Sequence, residues 1–171
     1  GNTIEGIKKH KAIWDDSFKG STVSIPINLR NVIFTEADLT AANFHEADLA
    51  EADISSANLS NAIFTKANLY AANLSKSKVT GASFFMASLS NANLRDVDLS
   101  GISFKEVGIN EETLIDEKWR LCCEIVNGQL DDFDLQGFDL SGVNLEYADL
   151  RGLDLRNANL TNVSFVRANL K

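Results

Sequence analysis

The sequence predicts an all-β solenoid, a chain wound into stacked four-cornered coils, and three observations predict it. Every fifth residue from Leu29 to Ile109 is Leu, Phe, Ile or Val, and the beat resumes from Leu130 to Leu170. A five-residue period fits neither a 3.6-residue helix nor a two-residue strand, so the chain must turn every few residues. Two places before this central residue sits a small one, Ala in most units from Ala37 to Ala92. Finally, Phe44, Phe64, Phe84 and Phe104 recur every twenty residues, or four units. Stacked coils place equivalent positions about 4.8 Å apart, so these rings form a ladder on one of four faces.

Each unit follows from the same geometry. Central and minus-two residues alternate like a very short strand, so both point inward while the residue between them points out. A narrow axis admits one large and one small side chain per unit. The core ladder is therefore assigned to Phe44, Phe64, Phe84, Phe104, Leu49, Leu69 and Leu89, each buried ring or Leu contributing about 1.5–3 kcal/mol. At the plus-two position Asn61, Gly81 and Gly101 share the twenty-residue period. Asn and Gly tolerate positive φ, which reads as a corner turn repeated in register. The minus-one position carries Asp38, Asp48, Asp53, Asp98, Asp134, Asp139, Asp149 and Asp154, placed to accept hydrogen bonds from local turn backbone. At twenty residues per coil, Glu46 should pair with Lys66 and Lys76 with Asp96 across adjacent coils. The only proline, Pro26, precedes the repeats, as a ladder that needs every backbone N–H requires.

The rhythm divides one structural domain into four stretches: an N-terminal cap (1–24), a first run of coils (25–109), an insertion (110–129) and a second run (130–171). In the cap, Thr3 starts a short helix carrying Ile4, Ile7 and Trp14. In the insertion, Thr113 with Asp116 reads as a capping box, Ile115, Trp119, Cys122 and Val126 form one stripe, and Gly128 supplies the stop. That predicts a helix over 114–127. Phe133 and Phe138 stand where Ala is usual, as expected of a coil widened where the helix docks. The run reaches Leu170-Lys171 without a capping element, so either end-to-end association of copies through the C-terminal coil or continuation in a longer chain is expected.

Ala-Asp-Leu-Thr-Ala (37–41), Ala-Asn-Leu-Ser-Asn (57–61) and Ala-Asn-Leu-Thr-Asn (158–162) resemble the A(D/N)LXX unit of pentapeptide-repeat proteins. The resemblance implies a right-handed quadrilateral β-helix, and its handedness comes from the family alone. The segment 118–127, Lys-Trp-Arg-Leu-Cys-Cys-Glu-Ile-Val-Asn, is similar to an insert of cyanobacterial members. Some members of the family resemble a DNA duplex in width and charge and act on DNA gyrase.

Composition narrows the function classes. A formal charge of -8 argues against direct binding of nucleic acid or anionic membrane, and no stretch is apolar enough to span a bilayer. Adjacent Cys122 and Cys123 form no disulfide framework, have no metal-ligand spacing, and fit a reducing compartment somewhat better than an oxidising one. His10 and His45 are isolated, with no metal spacing. The Asn-Leu-Ser/Thr triplets at Asn58, Asn73 and Asn159 are generated by the repeat itself and carry no weight as glycosylation sites. No phosphate loop or nucleophile elbow occurs, and a filled rod encloses no site that would shift a carboxyl pKa for catalysis. The reading is a non-enzymatic scaffold or protein-interaction module, without cofactor or metal, acting on an unidentified protein partner. The alternative is a DNA-mimicking modulator of DNA gyrase or topoisomerase, drawn from the family and an acidic collar. The chain begins at Gly1, so a trimmed or processed product is expected: cytoplasmic, or periplasmic or in a thylakoid lumen if a targeting segment has been removed. The candidate partner surface comprises Glu36, Glu46 and Glu51 of that collar, outward-facing Tyr70, Phe85 and Met86, and Trp119 of the insert.

Overall fold

In the unit 47–51 every backbone N–H has its own acceptor. Ala47 donates to Phe44 O (3.0 Å) and closes a turn; Asp48 donates down to Ile27 O (2.9 Å); Leu49 donates up to Asn68 O (2.7 Å); Glu51 donates up to Tyr70 O (2.8 Å). The remaining N–H, that of Ala50, goes to Asp48 Oδ1 at 3.2 Å. This complete accounting explains the sequence rule: only a short acceptor side chain at minus-one serves the fifth donor. The same bond recurs from Thr40 to Asp38, Ser60 to Asn58 and Ser141 to Asp139.

The computed structural model describes residues 27–129 and 134–171. The helical cap expected over 1–24, and Leu130 and Phe133, lie outside the described residues. Parallel bridges join Asn28 to Asp48, Ile33 to Asp53, Asp38 to Asn58 and Asn43 to Ile63, each twenty residues apart. These define faces 1 to 4 of a repeat solenoid, each face a narrow ladder of single bridge pairs. Left-handed backbone occurs at the expected Asn61 (φ 59°), Gly81 (72°) and Gly101 (74°), but also at Glu46, Lys66, Met86 and Tyr147. The regular five-residue corners all carry it, because a turn of this kind needs a positive φ at its third residue whatever the side chain, whereas the turn at 110–113 does not. At about 1–2 kcal/mol per non-glycine residue, the strain is offset in the regular stack by plus-two N–H bonds to the next coil, such as Glu46 to Thr65 O and Lys66 to Phe85 O.

Inside, Phe44, Phe64 and Phe84 stack with centroids 5.1 and 5.0 Å apart and ring planes within 14° and 5°. Leu49, Leu69 and Leu89 are buried between alanines. Phe104 is buried too, but it stands outside the stacked run. The reason lies in the inward small position. From Val97 onward it holds Val97, Ile102 and Val107, all buried, where the lower coils hold alanine. Width alone does not break a rung, since Ser88 still bridges Gly108 with Val107 above Ala87, but the loss of register falls where Val97 and Ile102 follow one another. On faces 3 and 4 the ladder accordingly lapses: Asp98 makes no bridge, and the N–H groups of Val79 and Phe84 find no carbonyl one coil above. The expected Lys76–Asp96 pair is likewise missing among the described residues, whereas Lys66 and Glu46 meet at 3.3 Å.

The insertion forms one helix, α1 (Glu117–Val126), three residues shorter at its start than expected. Thr113 is not its cap. Buried, Thr113 instead donates from Oγ1 to Leu89 O (3.1 Å) and accepts from Asn110 N, tying the loop to the coil below. Asp116 takes the cap position without a side-chain bond, and Gly128 (φ 66°) ends the helix as expected. Trp119, Leu121, Cys122, Cys123 and Ile125 are all buried, which is more than one helical stripe. The helix is wedged into the stack: Cys123 Sγ lies 3.6 Å from Val107 O below and Cys122 Sγ 3.6 Å from Asn144 O above. Beyond it the coils resume, with Ser103 bridged to Asn144, then Asp134 to Asp154 and Asn144 to Ser164. Phe138 is partly buried against the core.

Candidate interaction surface

A solenoid filled by its own side chains leaves its edges for recognition, and the twenty-residue register decides which residues share an edge. Glu36 stands on the edge between faces 2 and 3, Glu46 between 4 and 1, and Glu51 between 1 and 2. The acidic collar is therefore split over three edges and forms no single face. It is also partly neutralised, since Arg30 reaches Glu51 at 2.9 Å and Asp48 at 3.4 Å, and Lys66 reaches Glu46. The collar aspartates are occupied in turns: Asp53 is partly buried, which raises its pKa, but hydrogen bonds from Ser55, Thr35 and Asn73 outweigh this and hold it below the ordinary carboxylate value.

Phe85 and Met86 share the 4–1 edge with Glu46 and Lys66, at 38% and 42% exposure. Ile63 is exposed as well, in the outward slot of face 4, one coil below Ser83. Higher on the same edge stands a group the sequence reading missed. Tyr147 is exposed, with Lys105 Nζ 4.4 Å and the Arg167 guanidinium 5.5 Å from its ring centroid, and Arg167 Nη1 donates to its hydroxyl at 2.9 Å. Each cation on an exposed ring contributes about 0.5–1 kcal/mol, enough to hold the ring outward in one orientation. The signal was present in the sequence, since Ile63 and Tyr147 both stand in outward slots, but Tyr147 meets Lys105 only through the register imposed by α1. Tyr70 is exposed on a different edge, between faces 1 and 2. Trp119 must be removed from the surface set: it is 6% exposed, part of the core, with Lys118 Nζ 4.9 Å from its ring.

No chemistry gathers at this edge. Among the described residues no cluster of His, Cys, Asp and Glu could hold a metal, and no helix is long and apolar enough to cross a membrane. Burial pushes the Cys122 thiol up to about 12, with Cys123 adding to it, and burial pushes Cys123 up to about 11. Both are sealed thiols.

The chain belongs to the pentapeptide-repeat family: residues 37–114 match the pentapeptide repeat region, and residues 127–171 match pentapeptide repeats in eight copies. Among solved structures, a pentapeptide repeat protein from the Arabidopsis thaliana thylakoid lumen is 27% identical over 56% of this chain and 74% of its own, with a TM-score of 0.38. A pentapeptide repeat protein from Nostoc PCC 7120 is 26% identical over 54% and 76%, with a TM-score of 0.43. HetL, involved in heterocyst differentiation regulation in Nostoc sp. strain PCC 7120, is 28% identical over 84% of this chain and 64% of its own, with a TM-score of 0.28. No curated protein matches the chain.

Proposed function

We propose that the chain is a right-handed, non-catalytic β-helical scaffold that binds a protein partner along the edge between faces 4 and 1. The observation that carries this reading is the gathering of exposed Ile63, Phe85, Met86, Tyr147 and Val166 along one edge, where other exposed apolar residues such as Ile33 and Tyr70 stand apart on other faces. Aromatic and Met side chains beside cations are the composition of contact centres in protein interfaces. A membrane or nucleic acid is a poor occupant for a chain of net charge -8. Two free, buried cysteines fit a reducing compartment, and the cytoplasm is the proposed location.

The test is crosslinking capture from the source organism with wild type, a Phe85→Ser/Met86→Ser/Tyr147→Ala variant, and a Glu36→Gln control. A species captured by wild type and the control but lost with the edge variant supports the reading; equal capture by all three overturns it. The second reading, a DNA-mimicking modulator of gyrase or topoisomerase, draws on family membership and net charge, while the split and partly paired collar counts against it. Inhibition of supercoiling by the protein, abolished by neutralising Glu36, Glu46 and Glu51, would replace the first reading with the second.

A further inference from the structure

The joint around α1 differs from every coil below it in how it is held. Between regular coils each face carries three backbone bonds, such as Leu49 to Asn68 O, Glu51 to Tyr70 O and Asn68 to Ala47 O. Between the first run and residues 134–171, one backbone bond occurs among the described residues, Gly101 N to Gly142 O at 2.9 Å. Side chains stand in for the missing rungs. Asn91 N, whose equivalents donate to a carbonyl nineteen residues on, donates to Asn110 Oδ1 (2.9 Å). Glu106 N donates to Asn127 Oδ1 (2.7 Å), and Asn127 Nδ2 donates to Phe104 O (3.0 Å).

Charge adds a second dependence on α1. The Gly101–Gly142 pairing puts Asp98 and Asp139 in register on face 3, two carboxylates in neighbouring coils. Lys118 of α1 serves both: it lies 3.7 Å from Asp139, donates to Ser141 Oγ at 3.1 Å, and helps hold the Asp98 carboxyl low after the larger contribution of Ser100. Removing the helix leaves the carboxylates facing each other without a cation. The two thiols straddle the joint, Cys123 on Val107 O and Cys122 on Asn144 O, at 1% and 0% exposure.

We propose that the solenoid opens at this joint: α1 and residues 134–171 detach together as one cooperative unit while the coils below Leu94 stay folded, and Cys122 and Cys123 are uncovered only in that opened state. Stacked repeats are stabilised by neighbour interfaces, so the weakest interface sets where such a chain divides. The opening is a conformational device of the fold, independent of which partner the 4–1 edge binds.

Hydrogen exchange and thiol labelling test it together, on the full chain in low urea. Amides of 118–126 and 135–165 should exchange as one unit, at least about tenfold faster than those of 49–74. A maleimide should modify Cys123 in Cys122→Ala, and Cys122 in Cys123→Ala, at that same opening rate. Asn127→Ala and, separately, Lys118→Met should each raise labelling about tenfold, the equivalent of one lost hydrogen bond or ion contact, with exchange of 49–74 unchanged. Different rates or urea dependences for the two segments, or for the two thiols, would overturn the proposal, as would either variant accelerating exchange in 49–74 equally.

Discussion

From Ala37 to Ala92 the inward small position is Ala in every unit but one, and these units bridge twenty residues apart; at Val97 and Ile102 it is enlarged, Asp98 makes no bridge, and Ser103 pairs with Asn144 beyond the insertion. The two regions share the same five-residue unit, the same turn bonds and the same minus-one acceptors. Val107 N still donates to Phe104 O and Ser100 N still donates to Asp98 Oδ1. What differs is the cross-section. One large and one small side chain fill a narrow coil, and a second large one spreads the walls. Where Val97 and Ile102 replace alanine in succession the rungs on faces 3 and 4 are lost, although the Val107 unit keeps its rung to Ser88. The helix and its asparagines occupy the step that results.

Three measurements bear on this comparison. The largest effect belongs to the regular stack: Phe64→Ala removes the middle ring of the stacked run and should cost about 3–5 kcal/mol. Measured by urea unfolding, it should destabilise 42–90 as a block; a loss confined to one coil would mean that the stack is not cooperative.

Next comes acid, which should act on both regions, since both use minus-one aspartates. Asp98 is held low by the Ser100 hydroxyl and N–H, with Lys118 adding, and Asp154 is held at about 2 by Arg156. Carboxyls lowered in the folded chain stabilise it above their unfolded pKa, and that stability is lost as pH falls through the lowered value. The urea midpoint should be flat from pH 7 to about 5 and fall between about pH 4 and 2. A midpoint unchanged at pH 2.5 would mean these aspartates do not hold the turns.

The smallest effect is a gain. Ser77 is the one non-alanine in the inward small position between Ala37 and Ala92, and its buried Oγ has no hydrogen-bond partner. Ser77→Ala should restore the pattern and stabilise the protein by about 1 kcal/mol; thermal melting that shows a loss would argue for a role of that hydroxyl in the core.

Much of this was readable beforehand. The coil of twenty residues, the Phe44–Phe64–Phe84 column, the Gly81 and Gly101 corners, the turn-making aspartates and the Glu46–Lys66 pair all follow from bonds within a unit or to the unit four places on. The candidate surface was readable only in part. Phe85 and Met86 emerged from their slots, but the collar glutamates were grouped by proximity along the chain although successive units turn onto different edges. Trp119 is core and not surface, because an amphipathic stripe does not say how many sides of a helix will be covered.

The sequence by itself determined the repeating unit, its inward and outward positions and the number of units per coil, because each unit bonds only to itself, its chain neighbour and the units four places before and after it. Tertiary structure alone decided where the stack steps out of register, that α1 is wedged between coils, and that Lys105, Tyr147 and Arg167 meet on one edge. Those outcomes depend on side-chain volumes summed across whole coils and on neighbours about forty residues apart, which no local pattern encodes.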